Sequence, residues 1–285
     1  MAIRSNWRKV LAAAVIVAGC ALGVSAQTTP AQTAPAADAK AQLSREEKAQ
    51  FLLTAKITQT KNIPKGITSP VRLTLTNGTL IHDAAFSTVD EHIGVMRFSS
   101  GRTELDFVDS YKYSVAAYRL AELLGIDDMM PVTVEREVSH HKGSLVWWVD
   151  DYKMDEGERL KQKIQAPNPE AWNQQMFRMR VFAQLVADTD RNLGNVLITN
   201  DWKLWMIDFT RAFRRTRQLL APDDVTRCDH QLLDHLRALT KEEVAEKTKP
   251  FIGGSEIDAM MARRDAIVAL VEKQVAARGE AQVLY

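Results

Sequence analysis

The sequence is short of cysteine, of net charge and of long apolar runs, and each shortage excludes a class of protein. Cysteine occurs only at Cys20 and Cys228 among 285 residues. Cys20 lies in a segment expected to be removed or lipidated, so no intrachain disulfide framework forms and Cys228 reads as a quiet buried thiol. Lys and Arg number 37 against 36 Asp and Glu, a formal net charge of +1. No global field therefore draws the chain to nucleic acid or to an anionic membrane, and an anionic ligand must be held by a local site. The apolar run Val10 to Val24 covers 15 positions, short of the roughly 18 that a membrane-spanning helix requires. No H-E-x-x-H, close Cys pair or G-x-S-x-G is present, which leaves zinc-hydrolase and serine-hydrolase chemistry without its parts. His140 and His141 precede a Lys-Gly turn without matching acidic or Cys partners, and such a pair reads as a solvated turn rather than a zinc site.

Hydrophobic residues make up 46% of the chain, enough for one large core or two lobes. Arg4, Arg8 and Lys9 precede the apolar run, and Val24-Ser25-Ala26 supplies small residues before polar Gln27. Residues 1–26 therefore read as a secretory signal, with the rest of the chain expected outside the cytoplasm, periplasmic or secreted. A second processing site competes: Val17-Ala18-Gly19-Cys20 looks like the lipobox of bacterial lipoproteins, and membrane attachment is expected only if Cys20 is lipidated. Residues 27–42, rich in Thr, Ala, Pro and Gln, lack the large apolar side chains needed to offset ordering entropy and read as a flexible linker.

The remainder divides into a β-rich part, 43–150, and a mainly helical part, 151–285. Val71 to Leu75 alternates, Asn77-Gly78 signals a hairpin, and "TLIHDAAF" returns. "YSVAAYRLAELL", Tyr113 to Leu124, has helical period and stops at Gly125. "PVTVERE" and "GSLVWWVDD" read as strands, with at least one of Trp147 and Trp148 in the core. "KMDEGERLKQK" reads as a solvated helix face. "NQQMFRMRVFAQLVAD" is helical again, followed by strands at Val196 to Ile198 and Leu204 to Ile207 around the turn Thr199-Asn200-Asp201. Helices fill the rest, with a capping box from Thr240 to Glu243 and a cap at Ser255 before a long final helix, whose basic residues are too few and too balanced for a nucleic-acid surface.

The stretch "ADTDRNLGNVLITNDWKLWMIDF" carries the chemistry. Asp190 and Asn195 stand five positions apart, and Asp208 ends the second strand before Phe209. Five is the separation of catalytic Asp and metal-binding Asn in the kinase loop H-R-D-x-x-x-x-N, and Asp208-Phe209 falls where a D-F-G motif would. Phosphoryl transfer needs one oxygen to position the attacking hydroxyl and further oxygens to hold a divalent cation on the phosphates. Taken singly, the same residues are ordinary turn formers. Their joint order between apolar strands favours the site.

"DTDRNLGNVLI" and "WMIDFTRAF" resemble the catalytic and metal loops of the phosphatidylinositol 3- and 4-kinase-like branch of the protein-kinase-like superfamily, related to HipA-type and secretory-pathway Golgi kinases. The resemblance spans roughly Ile63 to Phe213 and is sharp from Asp190 to Phe213. It implies an α+β, two-lobed protein-kinase-like fold with a β-rich N-lobe and a mainly helical C-lobe. It implies ATP with Mg2+ or Mn2+ as cofactor and a hydroxyl-bearing acceptor that is protein, lipid or small molecule. Asp190 would orient or deprotonate that hydroxyl, Arg191 would brace the loop, and Asn195 and Asp208 would ligate the metal. Trp148 would pass near the adenine, and Lys65 stands among the cations, with Lys112 and Arg97, that could meet the phosphates.

The chain departs from the pattern at several points. Ser87 and Thr88 stand where the strand Lys is expected, Ser114 where a helix Glu would suit, Asn192 where lipid kinases commonly have His, and Thr210 where the glycine of the metal loop belongs. These departures, together with export into a space normally poor in ATP, support an alternative: a secreted pseudokinase acting as a binding or scaffold module without phosphotransfer.

Overall fold

The computed structural model describes residues 43–63, 70–98 and 101–285. The expected signal segment, the linker, Cys20 and Lys65 lie outside these residues.

Helix α1 (Arg45–Thr54) opens the described chain, closed by a reciprocal Ser44/Glu47 capping box. Three strands follow, β1 (Lys56–Asn62), β2 (Val71–Thr76) and β3 (Ile81–Ser87). The hairpin at Asn77-Gly78 joins β2 to β3 in antiparallel register, with Leu73 opposite Ala84. An inserted ribbon comes next, β4 (Asp90–Arg97) paired with β5 (Thr103–Ser110), and leads directly into α2 (Tyr111–Leu124). Strands β6 (Thr133–Val138) and β7 (His141–Trp147) complete a five-stranded antiparallel sheet in the order β1-β2-β3-β7-β6.

The two faces of this sheet differ because side chains alternate. Leu73, Ala84, Phe86, Leu145 and Trp147 share one apolar face, and all are buried. Helix α1 covers it: Phe51 meets Trp147 edge-on at 5.7 Å, and Arg136 donates to the carbonyls of Leu52 and Ala55 at 2.7 and 2.8 Å, satisfying the helix end. The opposite face carries Arg72, Asp83, Ala85, Ser87 and Val146. Trp147 is thus the core member of the tryptophan pair and Trp148 is half-buried.

After the sheet, β8 (Tyr152–Asp155) pairs with β9 (Val196–Thr199), which pairs with β10 (Leu204–Met206). Helices α3 (Glu156–Lys161), α4 (Pro169–Val186), α5 (His230–Ala238), α6 (Lys241–Thr248), α7 (Gly254–Arg278) and α8 (Glu280–Val283) make up most of the rest. The fold is α+β, with a sheet-rich N-terminal part and a helical C-terminal part. Cys228 is fully buried and burial pushes its thiol up to about 12, so it carries no thiolate near neutral pH. Among the described residues no helix is long and apolar enough to cross a membrane.

Several sequence expectations are corrected. "KMDEGERLKQK" is not one helix face: its first three residues finish β8, and Asp155 then caps the short α3 with Glu158 as reciprocal partner. Helix α7 is capped at Gly253 rather than Ser255, because the Glu256 carboxylate reaches back to the Gly253 amide at 3.1 Å. Helix α4 begins earlier than its apolar period, with Asn168 as cap and Pro169 in the first turn. Helix α1, strand β1 and the β4–β5 ribbon gave no clear pattern, since α1 buries only Phe51 and Leu52 and β1 is almost wholly exposed.

One glycine fixes the spacing of the central strands. A Cβ on Gly143 would sit 2.4 Å from the Ser87 carbonyl oxygen and 2.7 Å from the Phe86 ring. Neither neighbour can retreat without displacing the β3 backbone or the core. Gly143→Ala is expected to cost about 1–3 kcal/mol through overpacking, read as a lower urea midpoint at unchanged slope.

Candidate active site

Helix α4 ends at Ala187, whose φ of 47° turns the chain out of the helix. Asp188 follows with its side chain fully buried, and its Oδ1 accepts the Asp190 amide at 3.0 Å. Its other oxygen meets the Arg191 guanidinium at 2.6 Å. Arg191, only 9% exposed, also donates to the carbonyls of Asn195 (2.9 Å), Ile207 (2.7 Å) and Asp208 (3.1 Å). One side chain thereby ties the loop after α4 to both ends of the β9–β10 hairpin. Its guanidinium also lies 4.1 Å from the Phe209 ring centroid, and Phe209 is buried against Phe182.

This web brings Asp190, Asn195 and Asp208 to one junction. The Asn195 amide nitrogen donates to the Asp190 carbonyl at 3.0 Å, which commits that end of the amide and offers Oδ1 as its acceptor. Asn192 tethers the same turn, donating to Asp190 Oδ1 at 3.3 Å and accepting the Gly194 amide at 2.9 Å. Asp208 sits at φ 57°, a left-handed conformation that Asp tolerates better than most residues. Its Oδ1 accepts the Thr210 hydroxyl at 2.9 Å. Thr210, where the kinase pattern has glycine, thus supports Asp208 directly.

A third carboxylate, absent from the sequence reading, belongs beside these. Asp109 is the penultimate residue of β5, and the last, Ser110, donates its amide to the Thr210 carbonyl at 2.9 Å. Asp109 Oδ1 is buried without a hydrogen-bond partner. Burial pushes its carboxyl above the usual range, the Thr210 hydroxyl pulls it back, and the Asp208 charge adds to the rise. Nothing in the spacing could have shown this, because Asp109 reaches Asp208 from about a hundred residues away through an inserted ribbon.

The sheet side of the site is less provided. Ser87 lies on the face opposite α1, and its Oγ is buried without a partner. Lys112 is held by Asp90 at 2.7 Å, and Arg97 lies exposed on β4. Trp148 has Arg72 stacked at 4.2 Å from its ring centroid, and Arg72 is itself bonded to Asp83 through Nε at 2.7 Å. The structure therefore places Trp148 beside a cation. Next to the loop that carries Asp190 lies a hollow of about 630 Å³, lined in part by Asp188, Thr189, Glu104, Leu105, Arg214 and Leu220.

No protein-family profile matches the chain, and no curated protein matches it by sequence. Solved structures match it in shape. A hydra Fam20 solved with a sugar superposes with a TM-score of 0.64 at 14% identity, over 84% of this chain and 91% of that one. The Golgi casein kinase with Mn and ADP bound gives 0.61 at 15% identity, over 84% and 78%. The Helicobacter pylori proinflammatory kinase CtkA gives 0.51 at 10% identity, over 81% and 97%. The chain has a protein-kinase-like fold.

The Arg191–Asp188 pair is buried, so its net worth is small but breaking it is costly. Arg191→Ala strands the Asp188 charge and three carbonyls, and is expected to cost about 3–5 kcal/mol in a urea titration. Arg191→Lys, which cannot span the same acceptors, is expected to fall between the two.

Proposed function

We propose that the chain is an exported phosphotransferase of the phosphatidylinositol-kinase-like kind, which moves the γ-phosphoryl of ATP to a hydroxyl on a protein, lipid or small-molecule acceptor. The observation that carries this reading is the gathering of Asp190, Asn195 and Asp208 around Arg191 within a kinase-like fold. The Golgi casein kinase solved with Mn and ADP supports the same ligands for this chain. In this reading residues 43–150 and 151–285 are the two lobes.

The donors fit a divalent cation. Asp208 and the Asn195 Oδ1 would supply hard oxygens, and Asp109, whose Oδ1 is buried without a partner, lies near enough to feel the Asp208 charge. Mg2+ sites of this kind use one or two protein carboxylates and leave the remaining positions to phosphate and water. When bound, the cation would neutralise charge on the phosphates.

The chain's own residues would then act as follows. Arg191 and Asn195 hold the Asp190 turn, so the Asp190 carboxylate is presented to the acceptor hydroxyl. As the acceptor oxygen bonds to the γ-phosphorus, the bond from that phosphorus to the β–γ bridging oxygen breaks and ADP leaves. The hydroxyl proton passes to the Asp190 carboxylate. In this reading the basic-apolar N-terminus would direct export, and Cys20, if lipidated, would attach the chain to a membrane.

Two observations favour the scaffold reading: β3 carries no lysine and ends at Ser87, near where the resemblance expects the phosphate-binding Lys, and Lys112 is engaged by Asp90. A pseudokinase would keep the fold and lose the transfer.

The thermal midpoint with ATP and Mn2+ or Mg2+ separates the two. Ligand at 100 times its dissociation constant adds about 2.7 kcal/mol of stability. A metal-dependent shift is expected in the unsubstituted protein, absent in Asp208→Ala and retained in Asp190→Ala, with transfer lost in both variants. Absence of any shift in the folded protein moves the conclusion to the scaffold, and transfer that survives both substitutions sinks the site.

A further inference from the structure

The β4–β5 ribbon is inserted between the central sheet and α2, and it carries a carboxylate that the steps above do not use. Glu104 on β5 is 15% exposed and meets three guanidinium groups: Arg102 at 2.8 Å, Arg211 at 2.7 Å and Arg214 at 2.9 Å. Arg102 is mostly exposed, but the side chains of Arg211 and Arg214 are 11% and 12% exposed. These two belong to the segment that leaves Asp208.

Both arginines are joined to the rest of the site. The Arg211 carbonyl accepts the Thr189 amide at 3.3 Å and the Thr189 hydroxyl at 3.1 Å, one residue before Asp190. The Arg211 guanidinium lies 4.4 Å from the Phe107 ring centroid. Arg214 donates to the Asp106 carbonyl at 2.6 Å, and its own carbonyl accepts from the buried Arg263 at 2.9 Å. Glu104 thus stands where the ribbon, the segment after Asp208 and the loop before Asp190 meet.

Two nearly buried guanidinium groups converging on one carboxylate repel each other, and among the described residues Glu104 is the carboxylate ion-paired with both. Burial alone would raise the Glu104 carboxyl, but the hydrogen bond from Arg211 and the charges of Arg211 and Arg214 outweigh it and hold the group below its ordinary range. The carboxylate is therefore charged when the segment is seated.

We propose that Glu104 is a positioning residue which seats the segment from Asp208 to Arg214 against the Asp190 loop, so that Asp208 is presented to its cation. The inference rests on the phosphotransferase reading. It assigns to the inserted ribbon the coupling that a strand Lys and helix Glu would provide, where this chain has Ser87 and Ser114. Arg211 and Arg214 are the levers through which Glu104 acts.

The test compares Glu104→Gln with the unsubstituted protein and Asp208→Ala in Mn2+ titrations of ATP binding and of phosphotransfer. Glu104→Gln is expected to need about tenfold more Mn2+ for half-maximal transfer, as loss of a group supporting a metal ligand commonly does. The turnover at limiting Mn2+ should fall more than the KM for ATP rises, a split that general loosening of the fold would not produce. Glu104→Asp, which retains the charge but withdraws it by one methylene, should recover part of the Mn2+ affinity. If Glu104→Gln fails to fold, Glu104→Asp carries the comparison, with a raised Mn2+ requirement expected. An Mn2+ requirement unchanged in the folded Glu104 variant overturns the positioning role and leaves the phosphotransferase reading standing. Failure of the unsubstituted protein to bind ATP with Mn2+ overturns both.

Discussion

The buried ion pair between Arg191 and Asp188 is the constraint on which the site depends. Its attraction is largely offset by the cost of removing both charges from water, so it is not there to stabilise the fold in general. What it determines is position. Asp188 orients the guanidinium, and the guanidinium then spends its remaining donors on the carbonyls of Asn195, Ile207 and Asp208. Those carbonyls belong to residues at the two ends of a hairpin, so one rigid planar group sets the distance between the loop after α4 and the strand ends. A longer-range hydrophobic contact could not do this, because packing fixes volumes more readily than it aims single oxygens.

The second constraint comes from outside the local motif. Ser110 at the end of β5 bonds to Thr210, Arg214 bonds back to Asp106 on the same strand, and the Arg211 carbonyl receives Thr189. The segment after Asp208 is thus held from the ribbon on one side and from the Asp190 loop on the other. Arg263 of α7 adds a third attachment from beneath. It is fully buried, its guanidinium is brought down to about 10 by burial alone, and it donates to the carbonyls of Leu185, Arg214 and Thr216. A buried cation bonded only to carbonyls is costly, the more so because Arg263 Nη2 is left without a hydrogen-bond partner. Its presence at this point fits a segment whose backbone carbonyls have no strand or helix to receive them.

What could be read from the sequence follows from how local each feature is. The β2–β3 hairpin, α2 with its Gly125 stop and the β9–β10 hairpin are set by turn residues and short-range period, and the structure has all three. The Asp190–Asn195 spacing was legible for the same reason, since a single loop contains it. Asp109 and Glu104 were not legible. Both lie on a ribbon whose apolar positions are divided between a buried Phe107 and an exposed Leu105, so no alternation marks a core face. Their meaning comes from partners about a hundred positions away. Likewise, the polar strand β1 is an edge strand, exposed at nearly every residue, and burial rather than periodicity would have been needed to recognise it.

The uneven legibility also bears on function. The residues that resemble a phosphotransferase are concentrated on local loops of the C-terminal part, whereas Arg72 and Lys112 are committed to Asp83 and Asp90. A site that lacked a lysine on β3 would still need its metal-side oxygens held in place, and it would need that order to come from somewhere other than a lysine–glutamate pair. The ribbon lies between β3 and α2. It delivers Glu104 to Arg211 and Arg214, and Asp109 to the neighbourhood of Asp208. An insertion that only decorated the surface would have no reason to place two partly buried carboxylates there, each facing the segment that carries Asp208. In the phosphotransferase reading, the departure at Ser87 and the presence of the ribbon would be two sides of one arrangement, with Asp208 ordered through the contacts of Glu104 with Arg211 and Arg214.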